Sequence, residues 1–139
     1  MGRPLIRVAP KESRTYKGVT YASNTEMRRA MFLDDLKAVD APRVVDYWLR
    51  QVPVQLGTDP ATIYRVDFLV LWNNGAVHFE DVKAWYRNKR TWGKTRSFAR
   101  TESLWRRYGP APLRIMVFRG GQWTCAEEIP GRQLAGGES

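Results

Sequence analysis

The stretch Ile63-Tyr64-Arg65-Val66-Asp67-Phe68-Leu69-Val70-Leu71-Trp72-Asn73-Asn74-Gly75-Ala76-Val77-His78-Phe79-Glu80-Asp81-Val82-Lys83-Ala84 decides the fold. Its first ten residues are dominated by β-branched, aromatic and aliphatic side chains, the composition of a strand within a sheet. Asn73-Asn74-Gly75 then reads as a hairpin turn in which both central residues tolerate positive φ. Residues 76–84 return as a second strand. Strand side chains alternate between faces, so Phe79, Asp81 and Lys83 share one face of the returning strand and His78, Glu80 and Val82 share the other. On the outgoing strand Asp67 stands between Val66 and Phe68. An ionised carboxylate among such neighbours is costly unless it is paired or bound to a metal.

Working toward the N-terminus, residues 57–60 (Gly-Thr-Asp-Pro) form a turn. Residues 44–56 read as a strand, with Pro53 indicating an edge or a bulge. Ser23 or Asn24 is a suitable helix N-cap, and Glu26 falls in the first turn of a helix running to about residue 39. Met27, Ala30, Met31, Leu33 and Leu36 give that helix an imperfect apolar stripe, and Asp40-Ala41-Pro42 ends it. Residues 16–22 are a short lead-in. Toward the C-terminus, residues 85–94 form a basic, aromatic loop. Residues 97–108 are a helix burying Phe98, Leu104, Trp105 and Tyr108, stopped by Gly109-Pro110. Residues 113–118 are an internal strand, and Gly120-Gly121 turns the chain into a last strand at 122–127. The order α-β-β-β-α-β-β predicts one α/β domain, a mixed central sheet flanked by helices. We expect that domain over 16–130, a flexible basic arm at 1–15 and a loose tail at 131–139.

The 139 residues suit one domain, large enough to bury roughly two thirds of its unfolded surface without a disulfide or a metal. Cys125 is the one cysteine and is read as structural. No apolar run approaches the roughly 20 residues that cross a bilayer. The start of the chain has no apolar signal core, so a soluble, cytoplasmic protein with no membrane partner is expected. His78 is the one histidine. That leaves little material for a His-based metal site or a Ser-His-Asp triad; His78 is read as a surface residue off the candidate catalytic face.

The net charge is +9 and the isoelectric point about 10.1, which favours a polyanionic partner. The charge is concentrated: residues 83–107 carry nine basic side chains and one acidic one, Glu102. Arg87, Lys89, Arg90, Lys94, Arg96 and Arg100 are the candidate phosphate contacts. Trp85, Tyr86, Trp92, Trp105 and Tyr108 are interleaved with them and could stack on exposed bases, although the spacing of Trp105 suits the core.

Asp67 and Asp81 lie on adjacent strands and can converge on one point, where each raises the other's pKa. A hard divalent cation removes that conflict. Lys83 is on the face of Asp81, about 7 Å along the strand, placed to orient a water or counter charge on a phosphate. Glu26 reaches the same point if its helix packs near the hairpin. Each part alone has an ordinary explanation: an Asp in a strand is usually salt-bridged, an Asp-x-Lys pair arises by chance, and a Glu in a first helical turn serves the helix dipole. Their joint occurrence beside a basic loop points to hydrolysis of a phosphodiester.

These residues carry a resemblance. Tyr64 to Val70, a turn, and then Phe79-Glu80-Asp81-Val82-Lys83-Ala84 resemble the PD-(D/E)xK nuclease superfamily. Tyr21-Ala22-Ser23-Asn24-Thr25-Glu26 looks like its helix with the first acidic residue, and Gln51-Val52-Pro53 looks like the strand before its Asp strand. The resemblance covers residues 16–119, and its arrangement is similar to the phage and archaeal Holliday-junction resolvases. Val66 stands where a Pro is usual, Asp81 where Glu is commoner, and Ala84 where Gly often follows the Lys. The resemblance implies a restriction-endonuclease-like fold and a catalytic set of Glu26, Asp67, Asp81 and Lys83. It also implies Mg2+ or Mn2+ held by Asp67, Asp81, Glu26 and the main chain at Val82. The activity implied is a structure-selective endonuclease, most concretely a resolvase that binds branched four-way-junction DNA as a homodimer. A duplex or flap nickase, a repair nuclease, and a non-catalytic nucleic-acid-binding protein are the alternatives.

Overall fold

The structure, a computed structural model, describes residues 9–39, 44–58 and 60–132. It is a mixed α/β arrangement. A five-stranded sheet runs in the order β3 (Val45–Leu56), β4 (Thr62–Trp72), β5 (Val77–Val82), β6 (Leu113–Arg119), β7 (Gln122–Ile129). All neighbours are antiparallel except β5 and β6, which are parallel. Helix α1 (Asn24–Ala38) covers one face and α2 (Arg96–Tyr108), the crossover between the two parallel strands, covers the other. Pro53 lies on β3, an edge strand, where a missing N–H does least harm.

Each helix starts where the sequence supplies a cap. Ser23 Oγ accepts from the Glu26 amide at 3.0 Å, and Thr95 Oγ1 accepts from the Phe98 amide at 3.1 Å. Helix α2 buries Phe98 and Trp105 against Phe79, Leu113, Ile115 and Val117. Helix α1 departs from expectation. Its buried stripe is Glu26, Arg29, Ala30 and Leu33, half of it charged, while Met31 is exposed. An apolar-stripe reading misses such a face because its charged members face charges brought from elsewhere in the chain, Glu80 for Arg29 and Arg50 for Glu26.

Other expectations are corrected too. Only Gly75 of the β4–β5 turn has positive φ, at 89°. The Trp72 carbonyl accepts from the Gly75 amide, so a tight turn is followed by one left-handed glycine. Residues 15–20 form a small hairpin, β1 (Thr15–Tyr16) and β2 (Val19–Thr20), turned by Lys17 and Gly18, both at positive φ. Residues 11–14 form a 3-10 turn, and Arg14 Nε donates to the Ala9 carbonyl at 2.8 Å. Organised structure therefore begins before residue 16; residues 1–8 of the expected arm lie outside the described residues. Of the expected tail, the Arg132 amide donates to the Gly109 carbonyl at 2.7 Å, and residues 133–139 lie outside the described set, as does the helix stop at 40–42. Cys125 is exposed rather than a packed core thiol. Among the described residues no helix is long and apolar enough to cross a membrane.

Candidate active site

The site forms where the sheet forks. Strands β4 and β5 pair from Leu71/Val77 to Phe68/Glu80 and no further. Beyond that point β4 stays with β3, and β5 stays with β6. Asp67 and Asp81 are the next residue on each side of the fork. There the carboxylates replace the ladder. Asp81 Oδ1 accepts from the Asp67 amide at 3.1 Å, and Asp67 Oδ2 accepts from the Val82 amide at 2.8 Å. Two backbone donors that would otherwise lose partners are satisfied by the two acids.

Both β3 and β4 change face at this level. Phe68 and Val70 pack with α1, whereas Val66 and Tyr64 pack with the α2 side; on β3, Trp48 goes with α1 and Val52, Val54 and Leu56 with α2. Strict alternation would keep all these even-numbered residues on one face. The break falls at Gln51, which faces Asp67 and has φ of 54°. Because both strands switch together, their pairing register is unchanged across it. Gln51 Nε2 lies 3.4 Å from Asp67 Oδ1.

The structure brings Glu26, Asp67, Asp81 and Lys83 within electrostatic reach of one another. Burial, followed by the charge of Asp81, pushes the Asp67 carboxyl up to about 7. Burial also raises Asp81, opposed by the Tyr64 hydroxyl that donates to its Oδ2 and by the charge of Lys83. Glu26 is raised by burial, then held back by Arg50, whose Nη2 is 3.8 Å from Oε2; Asp81 raises it further. Glu26 Oε2 is buried without a hydrogen-bond partner among the described residues. Lys83 Nζ sits 5.5 Å from the centre of the Phe98 ring.

The expected metal ligands are only partly assembled. Asp67, Asp81 and the main chain of Val82 meet at the fork with Glu26 beside them, yet no three acidic, His or Cys side chains among the described residues already form a group that could hold an ion. The donor set nevertheless fits a hard cation in kind: three buried carboxylates, each raised in pKa, beside the main chain of Val82, with Glu26 Oε2 free of hydrogen bonds among the described residues.

Behind the fork lies a network that sequence reasoning missed. Arg29, one turn after Glu26, donates through Nε and Nη2 to Glu80 Oε1 and Oε2 at 2.7 and 2.6 Å. His78 Nδ1 accepts from the Trp72 indole at 3.1 Å, so the ring's proton is on Nε2, 2.7 Å from Glu80 Oε2. Both His78 and Glu80 are buried, which corrects the surface reading of His78. Burial opposes ionisation of Glu80, but the bonds from His78 and Arg29 outweigh it and hold the carboxyl below its usual range. Tyr64 and Gln51 were also missed as site residues. The i to i+3 spacing of Glu26 and Arg29 on one helix face was the available signal for Arg29.

The candidate phosphate contacts do not form one surface. Arg87, Lys89 and Arg90 are exposed in a turn closed by a Tyr86–Thr91 bridge. Lys94 is ion-paired with Glu102, and with Glu127 at 3.5 Å, so its charge is largely answered within the chain. Arg96 and Arg100 are exposed on α2, where Arg100 lines a separate 240 Å³ cavity with Leu56 and Tyr108. Trp92 and Trp105 are buried and cannot stack on a ligand; Tyr86 and Phe118 are exposed. No protein-family model, curated protein or solved structure matches the chain.

Proposed function

We propose that this chain is a PD-(D/E)xK-type, metal-dependent DNA endonuclease with a restriction-endonuclease-like fold, selective for branched DNA and most concretely a homodimeric Holliday-junction resolvase. The observation that carries the reading is the fork. Two aspartates on diverging strands face each other, a lysine follows two residues after the second, and a buried glutamate stands beside them with one oxygen that accepts no hydrogen bond among the described residues. Asp67, Asp81, Glu26 and the main chain of Val82 would hold Mg2+ or Mn2+, which when bound supplies charge neutralisation at the phosphate and a more acidic water. Lys83 Nζ offers hydrogen bonds to the phosphate oxygens and stabilises the negative charge that grows as water adds to phosphorus. Tyr64 and Gln51 orient the aspartates by donating to Asp81 and Asp67. The twofold demand of cutting a four-way junction favours a homodimer, and the net charge of +9 suits the phosphate backbone.

A second reading, a nucleic-acid-binding protein that keeps the fork without chemistry, is favoured by one observation. Each aspartate already has backbone and side-chain partners as it stands. The deciding experiment incubates the protein with a labelled four-way junction and a matched linear duplex, in Mg2+ and in EDTA, beside Asp67→Ala and Lys83→Ala. Paired, Mg2+-dependent cuts in the junction alone, absent in both variants, support the resolvase. Equal cutting of the duplex keeps the nuclease and removes the junction preference. Tight binding with no cutting in any divalent ion removes the nuclease reading.

A further inference from the structure

Strand β5 delivers Lys83 to the fork, and the chain runs on through Ala84 to Trp85. Two cavities meet there. One, of 240 Å³, is lined by Thr25, Arg28, Lys83, Ala84, Trp85 and Phe118. The next, of 530 Å³, shares Trp85 and Phe118 and extends past Arg87 and Arg119 to Gly120. They form one groove that begins at the candidate catalytic lysine and ends at the β6–β7 turn. At its far end Gly120 has open space where a side chain would stand.

The chemistry of the groove is uniform. Trp85 and Phe118 line it together with the guanidinium groups of Arg28, Arg87 and Arg119, and among the described residues no acidic side chain does. Arg28 and Arg87 are exposed and have no ion-pair partner among the described residues, unlike Lys94 and Arg106, which are held by Glu102. Phe118 is 40 % exposed, and the Arg119 guanidinium carbon lies 4.1 Å from the centre of the Trp85 ring. An exposed Phe118 ring and a half-buried Trp85 ring, beside cations with no ion-pair partner among the described residues, suit a base with its phosphate. A duplex presents phosphates and groove edges but keeps its base faces stacked, so it leaves such rings unused.

We propose that this groove binds an unpaired stretch of DNA adjoining the fork, with a base stacked on Trp85 and Phe118 and phosphates on Arg28 and Arg87. The proposal rests on the nuclease reading for the identity of the ligand, and it narrows the substrate to DNA with unpaired bases beside the cut site, such as a flap or an opened junction. Arg119 acts as a planar tier that a base joins or replaces.

The test measures binding by the full chain in EDTA, so that cutting plays no part. A fluorescent oligothymidylate is compared with a duplex of equal phosphate number, using wild type, Trp85→Ala, Trp85→Phe and Phe118→Ala. Loss of one stacked base, worth about 1–3 kcal/mol, is expected to weaken single-strand binding by roughly 5- to 150-fold in Trp85→Ala. Duplex binding should change less than about 2-fold, since its bases never reach the ring. Trp85→Phe should restore most of the affinity. Trp85 also packs against the core; should Trp85→Ala fail to fold, Phe118→Ala, at an exposed ring, makes the same comparison. Equal losses on single strand and duplex, or unchanged single-strand binding in the folded variants, overturn the proposal. Mg2+-dependent cutting by a protein whose single-strand binding ignores Trp85 would remove the groove and leave the nuclease. Trp85-dependent binding in a protein that never cuts would do the reverse.

Discussion

Asp67 and Asp81 each hold the other's strand: the Asp67 amide donates to Asp81 Oδ1 while Asp67 Oδ2 accepts from the Val82 amide, one residue past Asp81. The acids thereby close the point at which β4 and β5 part, and they do so at an electrostatic cost. Two carboxylates are buried close together, with Lys83 as the cation on the same strand and Glu26 adding a third negative charge.

That cost has a pH signature. Burial and Asp81 raise Asp67 from 3.8 to about 7. Between those values the folded chain keeps a proton that the unfolded chain has released, so stability falls as pH rises through the window and the loss is complete above it. In EDTA, urea unfolding is expected to show a decline of about 2 kcal/mol from pH 5 to 8, less than the full shift implies because the two acids share the effect. Mg2+ should reverse the decline at pH 8. Asp67→Asn, which keeps an acceptor for Val82, should flatten it. A wild-type profile level across this range would contradict the reading of the fork.

Arg29 and Glu80 are both buried and joined by two hydrogen bonds. Arg29→Met leaves Glu80 with His78 alone and is expected to lower stability by about 3–5 kcal/mol in denaturant unfolding. The double variant Arg29→Met/Glu80→Gln should recover a large part of that loss, because no uncompensated charge remains. A single-variant loss below about 1 kcal/mol would mean the pair is not desolvated as described.

Gly109 is required by contact rather than by conformation. Its φ is −62°, open to any residue, but an added Cβ would lie 2.6 Å from Trp105 Cδ1. Trp105 is fully buried, and its Nε1 donates to the Ala111 carbonyl at 2.8 Å. Gly109→Ala should therefore cost about 3 kcal/mol through overpacking and the strained indole bond. Gly120→Ala meets open space and bears only its positive φ, at about 1 kcal/mol. Thermal melts of the two variants give the comparison; equal costs would refute it.

Binding to DNA should depend steeply on salt. Arg87→Ala with Lys89→Ala removes two exposed charges and should reduce the slope of log K against log salt by up to about 1.8, if both contact phosphates. Lys94→Ala should change the slope by less than about 0.5, because Glu102 and Glu127 already answer that charge. Titrations from 50 to 300 mM salt read both. A larger change for Lys94 would show that its ion pairs open on binding.

The hairpin was readable because period-two alternation and an Asn-Asn-Gly turn are local signals, and the same holds for α2, whose Phe98 and Trp105 are spaced for one buried side. The face change at Gln51 and Asp67 was not readable. It depends on two strands breaking phase together, and the sequence of either one continues as an unbroken strand. Helix α1 was placed correctly from Ser23, yet its buried side was misassigned. Glu26 was expected at the site from its place in the first helical turn, but Arg29 looks like a solvent residue until Glu80 is brought to it from 51 positions away. The basic run at 83–107 likewise gave no hint that Lys94 is paired while Arg87 has no ion-pair partner among the described residues.

By itself, then, the sequence determined the order of the two helices and the five strands of the main sheet, the strand segment on which Asp81 and Lys83 share a face, and the excess of positive charge. Each follows from neighbours a few residues apart, where backbone geometry dictates which side chains meet. Only the tertiary structure decided that Asp67 and Asp81 meet across a fork, that Glu80 and His78 turn inward onto Arg29, and that Trp85 rather than Trp92 borders an open groove. The physical reason is that burial and charge compensation are properties of contacts between distant segments: whether a carboxylate or an indole ends in water or in the core depends on what the rest of the chain places against it.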